Sequence, residues 1–256
     1  MRNLMKCEML KIRKSFPLKV LFLLMFVLSL VSSISSLSYI DSPLANEFEI
    51  AFTGYDAFFS SMRDMPTITI IGIIVIGILI CSDFENRTIQ TEIAAGYSRT
   101  SVLLSKTLSF GIAYALVFLP YPLGRLIFQS IFIDFGPAIT VGVLLKMVGT
   151  FITIVLIGMA LDGVVILFAF ILRKSIIVMG IGFVLVVLGG NALLSFGVSN
   201  PALGTILGKT PIGLFKTLAV TNYEPTVVLQ AAIICAVCIG AFVALTYAFF
   251  RKAELK

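Results

Sequence analysis

Residues 65–119 decide the fold. They read MPTITIIGIIVIGILIC (65–81), SDFENRTIQTEIAAGYSR (82–99) and TSVLLSKTLSFGIAYALVFL (100–119). Two apolar runs flank a polar stretch that is far too short to form a domain. A helix crosses the hydrocarbon of a bilayer with about 20 apolar residues. The two runs are therefore read as consecutive membrane spans, with a polar connector between them.

The same reading extends outward along the chain. Apolar runs of spanning length fall at about 18–37, 65–81, 102–119, 143–172, 176–196 and 227–250. Pro66 sits in the first turn of the second run, where proline is tolerated. Pro120 and Pro122 are expected to end the third. Of the 256 residues, 59% are hydrophobic and only 12% charged, and the mean hydropathy is +1.09. A soluble domain carries about 25% charged residues, so lipid is the solvent for most of this chain. No large soluble domain fits beside the helices.

Charge sets the expected orientation. The net charge is +6, from 19 Lys and Arg against 13 Asp and Glu. The basic residues gather at helix ends, which favours membrane topology over nucleic-acid binding. With the amino terminus in the cytosol, the cytosolic side takes most of them. The other side takes Arg63, Arg125, Lys146, Lys209 and Lys216. The expectation is a multi-pass protein of the cell (cytoplasmic) membrane with both termini cytosolic. Its first outer loop is acidic, with Asp41, Glu47, Glu49, Asp56 and Asp64. A cleaved signal peptide is the alternative for the first run, but Ser32 to Ser38 offers no clear cleavage site. In residues 1–16, Met1, Leu4, Met5, Met9, Ile12 and Phe16 share one helical face, and Arg2, Lys6, Arg13 and Lys14 lie elsewhere. This pattern suits a helix lying in the inner membrane surface; an unstructured basic flank is the plainer reading.

The polar connector is the most informative segment. Ser82 and Glu85 have capping-box spacing, so a helix of about three turns is expected over 83–99. Phe84, Ile89 and Ile93 give it an apolar stripe. Gly96 can end it in a left-handed cap, and Ser98 can cap the next span. The run Glu85-x-x-Thr88, then Gly96-x-Ser98-Arg99, then Lys106 resembles the segment after the second helix of ABC-2 type permeases. These are the membrane subunits of ABC exporters, among them bacteriocin-immunity and peptide-antibiotic resistance transporters. The resemblance extends to six helices, an amphipathic amino-terminal helix and a basic carboxy tail. It is sharpest from Asp83 to Lys106. Where the family often has glycine before the matching threonine, this chain has Arg87.

The resemblance implies an all-α integral membrane protein of the ABC-2, type V exporter-like kind. Its coupling helix would be the 83–99 segment, docking on a separate cytosolic ABC ATPase through Asp83, Glu85, Arg87, Thr88, Glu92, Gly96, Tyr97, Ser98, Arg99 and Lys106. ATP and Mg would sit on that partner, with no cofactor in this chain. A second copy or a sister permease would complete the pathway. Residues 197–226, with Pro201, Pro211 and several glycines, would form an outer loop or re-entrant hairpin that could serve as a gate.

Other residues are weighed against plainer roles. Asp162 is the acid placed deepest in a membrane helix, about 15 Å from Leu172 at 1.5 Å per residue. A carboxylate there must be protonated, paired or facing water. It is either a substrate or proton site, or a structural hydrogen-bonding group beside Gly163. The run Gly204 to Thr210 lacks one residue of the phosphate-loop spacing and follows no strand. The C-x-x-C of Cys235 and Cys238 lies in an apolar run and suits packing better than metal or redox chemistry. Asn86-Arg87-Thr88 has sequon spacing, but on the cytosolic side. The chain has no histidine, which removes triads and zinc sites that need it. The leading expectation is a non-enzymatic permease subunit of an ATP-driven exporter for an amphipathic peptide or lipid-like compound. A proton-coupled secondary transporter using Asp162, and a non-transporting anchor or sensor, are the alternatives.

Overall fold

The computed structural model describes residues 2–37, 53–62, 65–199, 201–218 and 225–252. No strand occurs among them, and six helices are long and apolar enough to cross a membrane. Helix is what lipid demands, because each backbone N–H and C=O must be satisfied within its own segment. Of the outer acidic loop, Asp41, Glu47, Glu49 and Asp64 lie outside the described residues, as do Arg63 and the end of the carboxy tail.

Helix α1 (Arg2–Lys14) turns at Ser15 into the first span, α2 (Phe16–Leu37). Helix α3 (Gly54–Ser61) is short and is capped by Thr53. The second span, α4, runs through Met65–Ile76, a π-helical turn at Gly77–Cys81, and Ser82–Glu85. Helix α5 (Thr88–Ala94) forms the connector. The third span, α6, comprises Arg99–Phe118 and Pro120–Phe132. The fourth is α7 (Val141–Leu161), followed after Asp162 by α8 (Gly163–Leu172). The fifth, α9, includes Ser175–Gly182, a π-helical stretch Phe183–Leu188, and Gly189–Ser199. Two short helices, α10 (Pro201–Leu207) and α11 (Pro211–Leu218), occupy much of the 197–226 segment. They precede the sixth span, α12 (Pro225–Lys252).

Three sequence expectations are corrected. Pro120 and Pro122 do not end the third span: Leu119 keeps helical angles (φ −51°, ψ −40°), and the helix resumes with Pro120 in its first turn. Each missing proline N–H forfeits one ladder bond, yet the flanking bonds Leu119 N–H to Ala115 O (3.0 Å) and Leu123 N–H to Leu119 O (3.3 Å) survive. The 143–172 run is not one uniform helix. At Asp162 the carbonyl accepts from both Val165 N–H (2.9 Å) and Ile166 N–H (3.0 Å), a tightened turn that separates α7 from α8. The expected three-turn helix over 83–99 is also absent. Asp83 and Glu85 belong to the end of α4, and only Thr88–Ala94 forms the connector helix.

Helices α4 and α6 form the buried centre, whereas α2, α9 and α12 expose much of their apolar surface. The centre is held by an aromatic stack in which Phe110, Tyr114, Phe118 and Phe151 follow one another at 5.7, 6.4 and 5.9 Å between ring centroids. The Tyr114 hydroxyl donates to the Ile68 carbonyl at 3.2 Å, tying α6 to α4. A glycine brings α7 equally close to α6: a Cβ on Gly158 would lie 2.1 Å from the Tyr114 hydroxyl.

Candidate functional site

The connector begins with a break. Arg87 takes a left-handed backbone (φ 57°), which stops α4 and redirects the chain. Two turns later α5 ends as the glycine led one to expect. Gly96 has φ 91°, its N–H bonds to Ile93 O at 3.0 Å, and Tyr97 N–H bonds to Glu92 O at 3.3 Å. These two bonds make a Schellman cap. The Ser98 hydroxyl then accepts from Ser101 N–H at 3.2 Å and starts α6. The Ser82–Glu85 capping box does not form. Ser82 donates instead to Ile78 O at 2.7 Å, because the helix passes straight through it.

Beneath the connector lies a buried cluster of charges. Lys106, wholly buried on α6, donates to Asp83 Oδ2 at 2.5 Å, to Glu92 Oε1 at 3.1 Å and to Glu8 Oε1. Lys11 donates to both Asp83 oxygens, at 2.5 and 2.6 Å. Four elements thus meet at one ammonium: α1, the end of α4, α5 and the start of α6. A buried lysine is tolerable only with such partners, since desolvating an unpaired ammonium is prohibitive. Asp83, Glu92 and Lys106 were visible in the sequence; Glu8 and Lys11 were not singled out. A signal for Glu8 existed. It lies four residues from both Leu4 and Ile12, which puts an acid on the apolar face of α1. Leu4 and Glu8 are both buried, so that face meets protein.

The remaining connector residues reach other helices. Glu85 accepts from the N–H and hydroxyl of Ser175, both at 2.8 Å, and so caps α9. Arg99 Nη1 donates to the carbonyls of Phe250 (2.5 Å) and Arg251 (3.1 Å) and lies over the Phe250 ring. It therefore closes the carboxyl end of α12. Phe84, Phe170 and Phe250 pack edge to face, with Arg173 over Phe84. Residues in and beside the connector thereby join the ends of the second to sixth spans on this side, together with α1, which leads into the first. Arg87 is exposed, as are Thr91, Ala94 and Gly96 on or beside α5. Thr88 and Tyr97 are half-buried.

Asp162 stands apart from this cluster. It is fully buried, and neither carboxyl oxygen has a hydrogen-bond partner among the described residues. It packs on Gly72, where an added Cβ would lie 1.7 Å from Oδ2. The Gly204 to Thr210 run is a helix end and turn, with Thr210 donating to Leu207 O at 2.6 Å.

Six apolar spans, with a short helix between the second and third, define a multi-pass membrane protein. A family model described as ABC-2 family transporter protein matches residues 4–189. The chain belongs to that family and is a membrane permease of an ABC transporter, a transport component that is not itself catalytic. Members of the family generally work with an ABC ATPase at the membrane. The match covers α1 to most of α9 and includes the whole charge cluster. No curated protein matches the chain.

Proposed function

We propose that this chain is the permease subunit of an ATP-driven exporter, moved by a separate cytosolic ATPase that grips α5. Support comes from one observation above others. The connector helix is exposed on its outer side, while on its inner side Glu92 is ion-paired to Lys106, which also binds α1 and α4. A push on α5 is therefore delivered to α1, α4 and α6 together, and through Glu85 and Arg99 to α9 and α12. ATP and Mg would be handled by the partner, on the cytosolic side that carries both termini in the cell membrane. A second copy or a sister permease would line the pathway, since α2, α9 and α12 expose extended apolar faces. The substrate class is an amphipathic peptide or lipid-like compound, as in antimicrobial peptide resistance.

The test is purification of the tagged chain in mild detergent with the proteins that accompany it. A stoichiometric ATPase that is lost with Ala94→Arg, while the chain stays folded, supports the reading. Recovery of the chain without one, in several detergents, refutes it. Asp162 favours a second reading, a proton-coupled secondary transporter. Loss of transport in Asp162→Asn, combined with indifference to ATP depletion at a clamped proton gradient, would install it.

A further inference from the structure

Helices α1, α2 and α6 enclose a groove of about 380 Å³ that the charge cluster does not use. This is the size of a small-ligand site. Ile12, Leu18, Phe22, Ala113, Leu116 and Val117 line it, and the lining is almost wholly apolar. Its two charged members are Arg13 and Lys19. Both are exposed, and neither has an ion-pair partner among the described residues. Lys11 and Lys106, close by in the fold, are by contrast consumed by Asp83, Glu8 and Glu92.

The position of the groove identifies the kind of occupant. It lies where α1 turns into the 22-residue apolar span α2, so Arg13 and Lys19 stand at the start of the hydrocarbon. Around it, Phe16, Phe22, Leu23 and Leu116 are all strongly exposed. The groove thus opens toward lipid, not water, and a water-soluble anion would leave its apolar walls unfilled. An occupant must carry negative charge at the level of the two cations and hydrocarbon below them. We infer that this groove binds an anionic membrane phospholipid, its head group on Arg13 and Lys19 and an acyl chain between α2 and α6. Basic pockets between helices on the cytosolic side are suited to such head groups. Because the opposite side of α1 is tied to Asp83 and Lys106, an occupied groove would also hold α1 against the base of the connector. The inference does not depend on the direction or energy source of transport.

The experiment uses the full chain, purified in detergent and exchanged against mixed micelles of phosphatidylglycerol and phosphatidylcholine, with retained lipid counted by native mass spectrometry. Each cation near such a surface is worth about a factor of five, so Arg13→Gln with Lys19→Gln should weaken the phosphatidylglycerol preference roughly 30-fold. Leu116→Trp keeps both charges and fills the groove, and it should also lose the retained lipid. Lys6→Gln with Lys14→Gln removes equal charge from outside the groove and should change retention less than about threefold. Equal retention of the two lipids by the unaltered chain overturns the site. So does an equal loss in the Lys6 and Lys14 pair, which would mean diffuse surface attraction. Efficient crosslinking between copies through Leu116→Cys also overturns it, by seating a second copy of the chain on the groove.

Discussion

Lys106→Met is the sharpest perturbation of the cluster. It deletes the one ammonium shared by Glu8, Asp83 and Glu92 while keeping a side chain of similar length. Asp83 keeps Lys11, but Glu8 is left with Lys11 only at 3.7 Å. Among the described residues Glu92 loses its ion pair altogether. Removing one member of a buried pair costs about 3–5 kcal/mol, much of it the penalty on the charges left behind. The loss falls on contacts that hold α1 and α5, so it should appear there first. At about 1.4 kcal/mol per factor of ten, amide exchange in Arg2–Lys14 and Thr88–Ala94 should quicken at least a hundredfold, read by hydrogen–deuterium exchange in detergent. The middle of α4 should change far less. Adding Glu8→Gln should recover part of the loss, because it removes one stranded charge; contacting residues couple by about 0.5–3 kcal/mol. Exchange in α1 and α5 within threefold of the unaltered chain, or strict additivity of the two changes, would refute the cluster as the joint between these elements.

Other outcomes follow from single contacts. Gly72→Ala drives a methyl group into the Asp162 carboxyl, and overpacking of this kind costs about 1–3 kcal/mol; thermal unfolding in detergent should show the loss, and Asp162→Ala in the same chain should relieve it. Gly96→Ala meets no atom within 4 Å, so its cost is purely that of the left-handed backbone, about 1–2 kcal/mol, visible as faster exchange at the end of α5. Arg99→Lys cannot span both terminal carbonyls of α12 while lying flat on Phe250, so the last turn before Lys252 should fray. Cys7 is exposed, whereas Cys81 and Cys235 are buried. A membrane-impermeant thiol reagent should therefore label the chain in inside-out vesicles and not in intact cells, and Cys7→Ser should abolish that labelling. Labelling of Cys7 from outside would reverse the proposed orientation.

The six spans were legible in the sequence because hydropathy is a local property: each helix satisfies its own backbone and needs only enough apolar residues to cross. The connector's punctuation was legible for the same reason. Gly96 and Ser98 act on bonds three to five residues away, and composition alone signals them. Prolines and caps misled where packing outweighed them. Pro120 and Pro122 sit inside a continuing helix because lipid and neighbouring helices leave the chain no better alternative, and Ser82 follows α4 past its own capping signal. The partners of the charges were decided by tertiary structure alone. Lys106 meets Glu8 across 98 residues of sequence, Lys11 meets Asp83 across 72, and Arg99 meets Phe250 across 151. No periodicity encodes such pairings. They arise when six helices, each separately satisfied, pack so that their ends converge, and a charge shut in there must find its opposite.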